Sequence, residues 1–193
     1  MTDNTELTEE LIDSFFKRFP VPKGKEKEPF VITFDAYSGM GKSTISRELT
    51  KYIDTVILNN DEVRYFLNDQ NDIADLKNKL QKMRLEKLLK NHNNCILDNC
   101  FLHQYERKLN VIKSLKCKCF IVRLECDEDV VKERMEKRTI DGINFSGAKY
   151  EHHLDMMKNI KRIPDELIDY TIHTDQDLDE QIRGLVNYIE HNK

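Results

Sequence analysis

The chain has 193 residues, 39% of them hydrophobic, which suffices for one α/β domain with a core and at most a short appendage. Charged residues make up 34%, but the signs nearly cancel to a net charge of -4, so a generic basic nucleic-acid coat is excluded while a local basic patch is not. Five cysteines without a CxxC pair (Cys95, Cys100, Cys117, Cys119, Cys126) argue against a zinc site and fit reduced thiols in a cytoplasmic protein.

The acidic start MTDNTELTEE lacks the apolar centre of a signal peptide, and no apolar run approaches the roughly 18 residues of a membrane span. Residues 3–19 read as an amphipathic helix, with Leu7, Leu11, Ile12, Phe15, Phe16 and Phe19 on one side. Asp3 and Glu6 have the spacing of a capping box. PVPKGKEKEP reads as a linker, and the helix is expected to pack onto the main domain.

From residue 30 the pattern alternates. FVITF (30–34) is a strand, followed by a glycine loop and a helix over 42–52. Strand 55–59 leads into a short helix from DEVRYFLN and a long one over 72–92. CILD (95–98) is a strand, 103–114 a helix, 117–125 a strand and 127–138 a helix. A polar loop, a helix over 146–161, a strand over 168–173 and a helix over 177–191 complete the chain. Such alternation predicts an α/β fold with a parallel sheet, because parallel strands need crossover helices.

The stretch DAYSGMGKST joins the first strand to its helix. A phosphate needs many inward backbone N–H groups, which glycine permits, and a helix N-terminus that favours anions. Gly39 and Gly41 supply the flexible points and Ser38 to Thr44 the cradle: Ser38, Gly39, Met40, Gly41, Lys42, Ser43 and Thr44. Lys42 can reach the β- and γ-phosphates, and the Ser43 hydroxyl can ligate Mg²⁺. Ala36 stands where such loops open with glycine, which is tolerable if residue 36 needs no positive φ.

Asp61 and Arg64 lie three apart, just past the second strand's carboxyl end, where α/β sheets bind ligands. A carboxylate there could accept a proton from an attacking hydroxyl, and an arginine could hold an acceptor phosphate. Asp98 ends an apolar strand, as a Mg²⁺-holding carboxylate does. Arg134 and Arg138 share a helical face ahead of a loop containing Gly142 and Gly147. Arg107 can be read either as a site residue or as a solvated helix residue. His152 and His153 point to different faces and form no metal pair. Asp35 is either a supporting acid or a rival to Asp61 for the base.

The loop and the Asp61-x-x-Arg64 motif resemble the P-loop kinases of the polynucleotide kinase, zeta toxin and adenylyl-sulfate kinase group, over roughly residues 30–175. The resemblance implies a P-loop kinase-type three-layer fold with a five-stranded parallel sheet of order 2-3-1-4-5. It implies ATP and Mg²⁺ as cofactors, Asp61 as base, Arg64, Asn99 and Arg107 on the acceptor side, Ser43 and Asp98 at the metal, and Arg134 and Arg138 clamping the transferred phosphoryl from a lid at about 138–147. Residues 1–29 would be a helix and linker, and 30–193 the kinase domain. The expected reaction is transfer of the γ-phosphate to a hydroxyl, leaning to a nucleic-acid 5′ end, with a small molecule (nucleoside, nucleotide sugar or metabolite) as the alternative. A nucleotide-binding regulatory module without kinase activity is the reading from another class.

Overall fold

The computed structural model describes residues 7–67, 74–98, 102, 105–140 and 148–193, with the backbone alone for 138–140. Five strands form one parallel sheet: β1 (Phe30–Asp35), β2 (Thr55–Asn59), β3 (Asn94–Asp98), β4 (Lys118–Glu125) and β5 (Tyr170–His173). Their order is β2-β3-β1-β4-β5, as the resemblance implied. β1 is central, and all six of its residues are buried, which is why its sequence is a continuous apolar run instead of an alternating one.

Among the described residues the helices are α1 (Glu9–Arg18), α2 (Lys42–Leu49), α3 (Asn60–Phe66), α4 (Ala74–Lys90), α5 (Tyr105–Ser114), α6 (Glu128–Ile140), α7 (Tyr150–Asn159) and α8 (Leu178–Asn192). α2 packs on β3 and α8, α4 on β2 and β3, and α5 on β4. The main core gathers Ile32, Phe34, Ile45, Leu49, Ile96, Phe120, Val122 and Leu185 around the sheet. Each such side chain, once buried, contributes about 1.5–3 kcal/mol.

A second core lies outside the first: Phe15 with Val63, Leu67, Leu76 and Leu80, joined by Leu7, Leu11, Phe16, Phe19 and Phe66. Here α1 docks on α3 and α4. The expected start of this helix is corrected, because Thr8 is its N-cap, accepting from the Leu11 N–H at 3.2 Å; Asp3 and Glu6 lie outside the described residues. The segment after α1 is bonded to the turn between α4 and β3. Gly24 N–H donates to Asn91 O (2.8 Å), Glu26 N–H to His92 O (3.0 Å), and Asn93 Nδ2 to Pro22 O (2.9 Å). A Cβ at Gly24 would sit 1.9 Å from His92 O, so only glycine permits this approach.

The four cysteines among the described residues are free thiols. Burial pushes the Cys119 thiol up to about 12 and Cys117 to about 11, so both stay protonated at neutral pH. Among the described residues no cluster of three or more His, Cys, Asp or Glu could hold a metal ion, and no helix is long and apolar enough to cross a membrane.

Candidate active site

The loop between β1 and α2 takes the shape its glycines allow. Gly39 and Gly41 have φ of 84° and 92°, in the left-handed region. Ala36 is fully buried, and it is not among the residues with positive φ, so alanine costs nothing there. Gly41 caps α2, whose first free N–H groups therefore face the loop. Lys42 Nζ folds back along it, donating to Tyr37 O (2.6 Å) and Ala36 O (3.4 Å).

Ser43 opens α2, and Asp98 ends the neighbouring strand β3. Burial raises the Asp98 pKa, opposed by a hydrogen bond from the Ser43 hydroxyl and by the charges of Lys42 and Arg47; the Asp61 carboxylate pushes it further up. Four predicted residues (Lys42, Ser43, Asp61, Asp98) are thus close enough to sense one another. A buried carboxylate beside a hydroxyl is a pair of hard oxygen donors. That suits Mg²⁺, which takes one or two protein oxygens and completes its shell with water and phosphates.

Asp61 sits in the first turn of α3, where a carboxylate favours the helix dipole. Asn59 caps the helix, its Oδ1 accepting the Asp61 N–H at 2.7 Å. Arg64 Nη1 lies 3.3 Å from Asp61 Oδ1, on the face their spacing predicted. Sequence reasoning missed Lys77, half-buried on α4. Burial and the Arg64 charge lower its pKa, while Asp61 acts in the opposite direction. Only the packing of α3 on α4 brings Lys77 there; no motif marks it.

Arg134, on α6, reaches the loop from the other side. It donates to Thr174 O (2.6 Å), Thr174 Oγ1 (3.1 Å) and Cys126 Sγ (3.4 Å). Thr174 in turn would lie 3.6 Å from a Cβ on Gly41. Arg107 lines a cavity of about 540 Å³ with Leu102, Tyr105, Glu106, Asn159, Ile160 and Lys161. Asn99, the side chain of Arg138 and most of the expected lid at 138–147 lie outside the described residues.

Asp35 has a structural place. It is fully buried, with Oδ2 accepting from Arg123 Nε (2.6 Å) and Arg162 Nε (3.0 Å), and Oδ1 from the Ile163 N–H (3.3 Å). Arg123 is its cross-strand partner in the β1–β4 register, and it also donates to Asp165 and to Ile163 O. With both oxygens taken, Asp35 is poorly placed to rival Asp61 as a base. Nearby, Tyr37 Oη donates to Ile160 O (2.9 Å), and His153 Nδ1 to Ser38 O (2.6 Å). α7 and the segment after it therefore brace the loop. His153, buried against the loop, and the exposed His152 do face different ways.

No curated protein matches the chain. Among solved structures, the chain is similar to a candidate kinase from Chloroflexus aurantiacus, at 16% identity and TM-score 0.68, over 86% of this chain and 100% of that one. It is similar to a gluconokinase from Sinorhizobium meliloti (14%, TM-score 0.58, 87% and 95%). It is also similar to an APS kinase from Mycobacterium tuberculosis solved with AMPPNP and APS (18%, TM-score 0.56, 84% and 98%). At these identities the likeness is one of fold, and the fold is that of the P-loop kinases. Residues 33–163, more than half of the chain, match the AAA domain family, and the chain belongs to that family.

Proposed function

We propose that the protein transfers the γ-phosphoryl group of ATP to a hydroxyl of a small, negatively charged acceptor. The observation that carries this reading is the convergence of Asp61 and Arg64 with Lys42, Ser43 and Asp98 at the carboxyl ends of β1, β2 and β3. A loop that only bound nucleotide would need none of the first pair.

In this reading the loop N–H groups from Ser38 to Thr44 and the Lys42 ammonium hold the β- and γ-phosphates. Ser43 and Asp98 hold Mg²⁺, which when bound supplies positive charge against the phosphate oxygens. Asp61 accepts the proton of the attacking hydroxyl as its oxygen bonds to the γ-phosphorus. The bond from that phosphorus to the bridging oxygen breaks, and ADP leaves. Arg134, which packs beside Thr174, and Arg138 on the same helix would clamp the transferred phosphoryl group.

Arg64 is ion-paired to Asp61 and Lys77 stands within electrostatic reach of both, so two cationic side chains lie beside the proposed base, where an anionic group on the acceptor would be favoured. Arg107 and Lys161, together with Glu106, line a cavity whose volume of about 540 Å³ falls in the range of small-molecule sites. The gluconokinase and APS kinase among the similar folds are named for small acceptors. A polynucleotide 5′-hydroxyl is the rival acceptor.

The test incubates the protein with γ-labelled ATP, Mg²⁺ and a panel of sugar acids, nucleotides, nucleosides and 5′-hydroxyl DNA and RNA. Labelled product from an anionic small molecule is expected. Label in polynucleotide alone overturns the acceptor class, and label in free phosphate alone overturns the kinase reading in favour of a regulatory module.

A further inference from the structure

α3, which carries Asp61, has only seven residues. A helix of that length does not hold its shape alone, so its place is set by what it packs against. Val63, Phe66 and Leu67 face inward, onto Leu76 and Leu80 of α4 and onto the aromatic side chains of α1. The Phe66 ring lies 5.6 Å from Phe15 and 5.9 Å from Phe19, both contacts edge-on.

Behind this cluster lies Arg84 of α4, only 6% exposed. Its guanidinium carbon is 4.9 Å from the centre of the Phe19 ring, and Nη1 is 3.7 Å from Glu62 Oε2. Nε and Nη1 have no hydrogen-bond partner among the described residues. A buried cation so thinly satisfied is costly and depends on each neighbour it has. Burial lowers its pKa, and the Glu62 carboxylate opposes that. Phe19 closes α1, and Glu62 adjoins Asp61, so the arm and the short helix lean on one side chain. Gln81, on the same side of α4, donates to Asn59 O at 2.8 Å, at the residue that caps α3.

We propose that the N-terminal arm positions the base-bearing helix: Arg84, held between the Phe19 ring and Glu62, ties the docking of α1 to the placement of Asp61. Arg84 is a positioning residue and touches no reacting group. The proposal rests on the reading of Asp61 as base. The arm lies outside residues 33–163, so this is an addition to the part of the chain that matches the family. The bonds of Gly24 and Glu26 to the α4–β3 turn anchor the segment after α1 independently of the docking of α1.

The test uses the full chain with Arg84→Met, Phe19→Leu and Glu62→Gln. Amide exchange of residues 60–66 is expected to quicken about tenfold, while residues 39–44 and ATP affinity stay as in the wild type. The kcat for transfer is expected to fall about tenfold with the KM for ATP unchanged. Glu62 is half-exposed, so Glu62→Gln leaves folding intact if Arg84→Met does not. Unchanged exchange in 60–66, or equal quickening in 39–44, overturns the proposal. If Asp61→Asn leaves transfer unaffected, the base assignment fails by itself, whereas the exchange of α3 reads the brace independently of the reaction.

Discussion

The two sides of the site are built differently. The phosphate side hangs from β1, the central and fully buried strand, and is braced by Asp35, Arg123, Arg162, Tyr37 and His153. The proposed acceptor side hangs from edge strand β2 and a seven-residue helix, and its Asp61–Arg64 pair is more than a third exposed. One side is fixed by burial, the other by contacts with α4 and the arm. The contrast fits the proposed reaction, in which a constant ligand part needs a rigid cradle and a variable acceptor the more loosely held wall.

Four changes would break or sharpen that contrast. Lys42→Ala should have the largest effect, lowering kcat/KM about a thousandfold by removing charge from the phosphates, measured as labelled product per time. Full activity in that variant would mean the loop is not the phosphate site. Asp35→Ala should cost about 1–3 kcal/mol in urea unfolding, because Arg123 and Arg162 would lose their one fully buried carboxylate and keep only Asp165 and Glu125, and the Ile163 N–H would lose its acceptor. A loss below about 1 kcal/mol would show that the phosphate side is not held from below as its geometry suggests.

Asp61→Asn should lower kcat about a hundredfold yet leave unfolding and nucleotide affinity near the wild type, since the side chain is more than a third exposed. The smallest effect belongs to Asp98. Its pKa is raised mainly by burial, so the folded state binds its proton more tightly than the unfolded one. Its stabilising contribution is therefore full below the ordinary value of 3.8 and is lost as pH rises through the folded value. Asp98→Asn should flatten that loss and raise the Tm of the nucleotide-free protein near neutral pH, while abolishing its response to Mg²⁺. A lower Tm in the variant would contradict the sign.

Much of this was legible in the sequence. Strands 30–34, 55–59, 95–98, 117–125 and 168–173 were placed within two residues, because each is a short β-rich run with turn residues on either side. Helices were less well bounded. α2 stops at Leu49 and not at residue 52, and α1 starts at Glu9 behind Thr8, since competing caps look alike before packing selects one. The pair Asp61 and Arg64 was legible because three residues on a helix are neighbours by local geometry alone. Lys77 was not, because its neighbour Arg64 belongs to another helix.

Asp35 shows the division most plainly. In the sequence it is an acid beside a phosphate loop, and nothing local distinguishes a base from a support. Arg123 and Arg162, 88 and 127 residues away, decide the matter. The sequence by itself determined the loop, the alternation of strands and helices and the spacing of the helical pairs, all of which depend on neighbours within about one turn. Tertiary structure alone decided that Asp35 is held by two arginines, that Lys77 stands near Asp61, and that the arm rests on α3. Those outcomes depend on register and on packing between distant elements, and no local periodicity carries that information.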